Sequence, residues 1–167
     1  LLPPALFPKA HPYSWPVIGS MADLGAASYQ DVVDFFKTWY GPANASLVVA
    51  GDVDAKEVRR LAEKWFADVP RSEPVEPYAP RPVVLREEKR LVLEDKVQLP
   101  RLYLAWVTPP SFAPGDAALD AVAAVLASGK NSRLYKRLVY DLQVAQDVTA
   151  YQGSAALAST FQVIVTA

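Results

Sequence analysis

HPYSWPVIGSMADLGAASYQDVVDFFKTWYGPANASLVVAGDVD, residues 11–54, decides the fold, because it carries a loop, a helix, an apolar strand and the start of a second helix in unbroken order. Ser28 is placed to cap a helix, and Asp31 three residues on can reach back to complete the cap. Val32, Phe35, Phe36 and Trp39, with Val33 and Tyr40 beside them, recur at helical spacing until Gly41-Pro42 ends the run. Burying side chains of that size is worth about 1.5–3 kcal/mol each, so the helix is expected to lie against a sheet. Ala45–Gly51, ASLVVAG, is a short continuous apolar run of the kind that forms a central strand covered on both faces. Asp54 then caps a second helix with Glu57 as its box partner, and Val58, Leu61, Ala62, Trp65 and Phe66 form its buried stripe.

Working outward, residues 68–82, DVPRSEPVEPYAPRP, place prolines at 70, 74, 77, 80 and 82, a spacing that excludes a helix or central strand and marks a linker. Beyond it Val83–Leu93 and Arg101–Val107 read as strands. Asp116 or a neighbour caps a helix through Leu119, Val122, Ala123 and Leu126, and Gly129 is its C-terminal glycine. Ser132 opens a shorter helix, RLYKRLVYDL, and strands over Val144–Tyr151 and Thr160–Thr166 close the chain. The class is therefore α+β: an α-β-α piece and a β-β-α-α-β-β piece, joined by the Pro-rich linker, with a mostly antiparallel sheet and helices on one face. In domain terms, 1–67 is the C-terminal part of a first α+β domain, 68–82 the interdomain linker, and 83–167 the N-terminal part of a second.

Bulk properties narrow the function classes. At 167 residues the chain can bury about 70% of the surface its unfolded form exposes. Apolar residues are 51% and charged residues 21%, near the globular average, and no stretch approaches the length of a membrane-spanning helix. Lys plus Arg is 17 against 18 for Asp plus Glu, without blocks of either sign, so a nucleic-acid or anionic-lipid partner is disfavoured. Without Cys there is no disulfide framework, Cys-ligated zinc or thiol nucleophile. Both ends, LLPPALFPKA and STFQVIVTA, are apolar and fall inside elements, so the chain is expected to be an excerpt from a longer protein.

Candidate chemistry is sparse. His11 is the single histidine, whereas a metal site wants two or three ligands in register, so it reads as ordering its Pro-rich loop by a hydrogen bond. A Ser-His-Asp triad has only His11 to build on, and no G-x-S-x-G elbow accompanies it. Asp52 and Asp54 follow an apolar strand, where α/β folds bind ligands, yet Asp54 has a helix to cap and Asp52 suits a turn. Gly129-Lys130-Asn131-Ser132 lacks the spacing of a phosphate loop. The aromatics Tyr13, Trp15, Trp39, Tyr40, Trp65, Phe66, Tyr103 and Trp106 fall mostly on expected core faces, with Tyr13 and Trp15 at a surface or interface.

Taken together, H-P-Y-S-W-P-V-I-G-S at 11–20, W-Y-G-P-A-N-A-S-L-V-V-A-G-D at 39–52 and S-R-L-Y at 132–135 resemble the insulinase/pitrilysin family of zinc metallopeptidases, whose inverted H-x-x-E-H motif this chain does not contain. The resemblance covers nearly the whole chain. It implies a fragment of one enzyme half downstream of the zinc motif, from a clam-shell chamber that closes around an unfolded peptide. In that family zinc polarises the scissile carbonyl while a glutamate activates a bound water. By the same resemblance the parent carries zinc as cofactor and takes peptide as substrate, whereas this chain has no catalytic or metal-ligand residue and holds no cofactor.

The family also places an Arg, and a Tyr seven residues later, after the S-R-L-[YF] helix start, where they hold substrate and stabilise the developing oxyanion. Aligning Ser132–Tyr135 puts Val139 at the Arg position and Gln146 at the Tyr position, and neither matches. Two-subunit members divide labour, so the resemblance implies that the parent is the zinc-bearing chain and needs a homologous Arg/Tyr-bearing partner. The alternative is an inactive scaffold or peptide-binding subunit of a peptidase-like complex. Relatives with this wording are often found in the bacterial envelope, which is all that bears on compartment. Because the two pieces offer about one domain of elements in permuted order, they are expected to pack together or to exchange between two chains.

Overall fold

A computed structural model describes residues 2–77 and 83–167. The last part of the expected linker, residues 78–82, lies outside the described residues. The chain divides into two compact units, Ile18–Tyr78 and a second built from Leu1–Val17 with Ala79–Ala167. Contacts thus group the first seventeen residues with the C-terminal section instead of with the helices that follow them in sequence.

The larger unit is organised on a three-stranded antiparallel sheet: β1 (Arg101–Thr108), β2 (Asp147–Gly153) and β3 (Ser159–Thr166), in the order β1-β3-β2. In register, Trp106 of β1 and Gln152 of β2 both sit opposite Phe161 of β3, and Leu104 and Ala150 both sit opposite Val163. Alternation puts these residues on one face. There Ala123 of helix α5 (Asp116–Ala127) packs with Ala145, Val148, Phe161 and Val163 to make the main core. Gly129, at φ +77°, supplies the left-handed turn after α5 and so fulfils the C-terminal role expected of it. Helix α6 (Arg133–Tyr135) continues into a wider π turn, Lys136–Asp141, whose Leu138 and Val139 add to the same core.

The opposite face receives the N-terminal segment. Helix α1 (Leu2–Leu6) and the following turn bury Leu6 and Phe7 with Ala158, against Ala105 and Val107. The α+β class read from the sequence is the class of the structure. One expected strand of this section is absent: residues 83–93 run irregularly, because among the described residues the segment has no ladder partner to satisfy its backbone groups.

The unit of Ile18–Tyr78 holds α2 (Met21–Ala26), α3 (Tyr29–Trp39) and α4 (Ala55–Phe66). Ser28 and Asp31 form the expected reciprocal cap of α3, with Asp31 N–H donating to Ser28 Oγ at 3.2 Å and Ser28 N–H donating to Asp31 at 2.8 Å. Asp54 accepts from the Lys56 and Glu57 amides at 2.8 and 2.9 Å, but the Glu57 carboxylate turns to Arg60 instead of closing a box. Its charge favours that choice. No strand forms over Ala45–Gly51, and the expected burial of α3 and α4 is not seen: Phe35 is 51% and Trp65 67% exposed. A strand needs a ladder partner, and among the described residues this unit has no sheet for α3 and α4 to lie against. The approach of residue 72 also explains a glycine, since a Cβ on Gly41 would run into the Ser72 side chain, whose Oγ accepts from the Ala43 amide at 3.0 Å.

Candidate functional site

Polar groups converge at one end of the sheet. Asp116, in the first turn of α5, is buried, and its carboxylate accepts from Gln152 Nε2 at 2.9 Å, Ser154 Oγ at 2.7 Å and the Phe112 amide at 3.0 Å. Gln152 is held in turn by Thr108, whose Oγ1 accepts from its Nε2 at 2.9 Å. The bonds from Gln152 and then Ser154 hold the Asp116 carboxyl below the usual carboxylate range, burial pushes the other way, and the Phe112 amide adds to the lowering. An anion with its lone pairs committed to three donors is a poor general base. The network therefore ties the loop before α5 and the turn after β2 to the sheet.

A second cluster forms where the N-terminal segment meets the sheet. His11 is buried, and its Nδ1 accepts from the Tyr13 amide at 3.1 Å, the loop-ordering bond its sequence context suggests. The imidazole stacks on Phe7 with ring centres 4.8 Å apart, and the Tyr13 hydroxyl accepts from the Leu157 amide at 3.2 Å. Tyr13 is half-buried at this contact, and Trp15 is exposed. The other aromatics assigned to core faces are exposed: Trp39, Tyr40, Trp65 and Phe66 belong to the unit without a sheet, and Tyr103 and Trp106 lie on opposite faces of β1, where Trp106 falls outside the core under α5.

The remaining sequence candidates are not brought together. Asp54 is occupied in capping α4, and Asp52 lies exposed ahead of it. Ser132 donates from Oγ to the Gly129 carbonyl at 2.7 Å, closing a turn where a phosphate loop would leave amides pointing outward. Val139 is half-buried in the α5 core, whereas Gln146 is exposed and its backbone N–H donates to the Thr166 carbonyl at 2.7 Å. Among the described residues no group of three or more His, Asp or Glu side chains is placed to hold a metal ion. Sequence reasoning missed the Asp116 network: Asp116 read as a cap, and nothing local links it to Gln152, thirty-six residues on.

Residues 26–167 match the Peptidase M16 inactive domain family. The chain belongs to this family. Among curated relatives, Zinc protease PqqE of Helicobacter pylori is 30% identical over 144 residues, which are 84% of this chain and 32% of that protein. This M16 chain thus spans about a third of that relative's length. A solved protease structure from the same organism is 28% identical with a TM-score of 0.67, covering 93% of this chain and 38% of the other. The peptidase M16 inactive domain from Pseudomonas fluorescens has a TM-score of 0.74 at 16% identity, over 99% of this chain and 40% of the other, a likeness of fold alone. The M16 chain is therefore a non-catalytic part of a peptidase-like protein, as its family description and zinc-protease relatives support.

Proposed function

We propose that this M16 segment is the non-catalytic portion of a longer zinc-dependent metalloendopeptidase, one that degrades or processes peptides within a closed chamber. In this reading the longer chain bears the zinc and works with a homologous subunit that supplies an Arg and a Tyr. One observation carries it: at the position where the resemblance places the arginine, Val139 is packed into the core with Val148 and Phe161 and has no donor to offer an oxyanion. The zinc-protease name of the Helicobacter pylori relative supports a metal in the longer protein. The described residues of this segment do not fit that metal, so no chemical step is assigned to them.

The second reading, an inactive scaffold or peptide-binding subunit, draws on the family description of the domain as inactive. Zinc content and peptide hydrolysis of the full-length protein, alone and mixed with an Arg/Tyr-bearing partner, separate the two. One equivalent of zinc, with hydrolysis appearing on mixing, is expected from the first reading. Absence of zinc and of hydrolysis in both preparations overturns it in favour of the scaffold.

A further inference from the structure

We infer that the groove between the α1 segment and residues 83–89 is a docking site for an extended acidic peptide segment of a partner protein. The groove is open to solvent and spans about 590 Å³, a volume in the range of ligand-binding clefts. Apolar side chains share its lining with polar ones: Leu6 and Phe7, both buried, close its floor from the N-terminal segment, and the exposed Val84 and Leu85 line the other wall. Its rim is cationic, with Lys9, Arg86 and Lys89 among the lining residues and no carboxylate among them. Glu87 and Glu88 lie on the same stretch but do not line the groove, and Glu88 accepts from Arg90.

The placement of the cations is part of the fold. Lys89 Nζ donates to the Ala5 carbonyl at 2.7 Å, which holds one wall to the other and keeps that charge at the groove. Lys9 follows Phe7 on the turn after α1, so the N-terminal segment brings an apolar floor and a cation together. In a chain with net charge −1, three cations around a partly apolar cleft with no lining acid form a local departure from the even mixing elsewhere. Their complement is a segment with carboxylates on either side of an apolar side chain, the side chain on the floor and the carboxylates on Arg86 and Lys9. Three cations are few for a polyphosphate backbone, and an apolar floor offers it nothing. The inference does not depend on the peptidase reading.

The test is fluorescence anisotropy of the whole chain titrated into a fluorescein-labelled peptide of alternating glutamate and leucine. Saturable binding that weakens as salt rises is expected. The Lys9→Glu/Arg86→Glu double variant, checked by circular dichroism for retained structure, is expected to lose about tenfold or more in affinity. Lys9→Gln/Arg86→Gln carries the same comparison without charge reversal, and Lys89 is left in place because it holds Ala5. The inference is overturned by no binding, by equal binding of a lysine-leucine peptide, or by affinity unchanged in both double variants. Tighter binding of phosphatidylserine vesicles or single-stranded DNA than of the acidic peptide also overturns it.

Discussion

Gln152 of β2 donates from Nε2 to the buried carboxylate of Asp116 at 2.9 Å, and so fastens the start of α5 to the sheet it covers. Ser154 and the Phe112 amide complete the shell, and the Asp116 carboxyl is held below its ordinary range chiefly by Gln152. A carboxyl whose folded value is depressed stabilises the fold fully above its unfolded value, about pH 4, and loses that contribution as the pH falls through the folded value. Acid unfolding of the larger unit is therefore expected to set in below about pH 4. Asp116→Asn should lower stability at neutral pH and flatten this acid limb, read by circular dichroism against pH. An unchanged acid limb would show that the Asp116 network does not set the acid stability of this unit. Asp31 and Glu57 are shifted the same way but sit exposed on α3 and α4, so their limb is screened by salt and survives in Asp116→Asn.

Attachment of the N-terminal segment rests on Tyr13. Removing its hydroxyl in Tyr13→Phe leaves the half-buried Leu157 amide without that acceptor, a loss of about 1–3 kcal/mol. Faster proteolysis within residues 2–17 is expected, along with a lower melting temperature. His11→Asn, which keeps an acceptor near the Tyr13 amide, should be milder than His11→Leu. Equal behaviour of the two His11 variants would mean that ring packing on Phe7, and not the hydrogen bond, orders the loop.

Burial separates two phenylalanines. Phe161 is 7% exposed in the core under α5, and Phe161→Ala should cost about 3–5 kcal/mol. Phe35 on α3 stands about half-exposed, and Phe35→Ala should change stability by about 0.5 kcal/mol or less. Chemical denaturation of both variants checks the contrast. A large loss at Phe35 would show that the α3 face is covered in solution.

That face makes a further prediction. Val32, Phe35, Phe36 and Trp39 on α3 are each about half-exposed at helical spacing, and Leu47 and Val48 after it are exposed too, which is more apolar surface than a monomer usually leaves in water. The chain is expected to associate as its concentration rises, measured by size-exclusion chromatography with light scattering. A strictly monomeric profile at all concentrations would contradict it.

What could be read from sequence and what could not follows the range of the interactions. The Ser28–Asp31 cap, the Asp54 cap and the Gly129 turn are settled within a few residues, and all three stand where the sequence puts them. Strands β1, β2 and β3 also fall close to their expected spans, since apolar alternation there meets real partners. Ala45–Gly51 and Val83–Leu93 carry the same kind of signal but lack neighbours among the described residues, and a strand exists only through its neighbour. The Tyr13–Leu157 bond spans 144 positions and the bonds from Gln152 and Ser154 to Asp116 span 36 and 38, so no local pattern announces them. The π turn that seats Val139 in the core is likewise set by packing against α5 and β2.

In the proposed function, residues outside this M16 segment perform the peptidase chemistry. Zinc stoichiometry and hydrolysis of a quenched fluorescent peptide, measured on the purified chain supplied with excess zinc and then desalted, test that most directly. No stoichiometric zinc and no hydrolysis above buffer are expected. One retained zinc per chain, with cleavage abolished by a chelator and restored by zinc, would contradict the proposal.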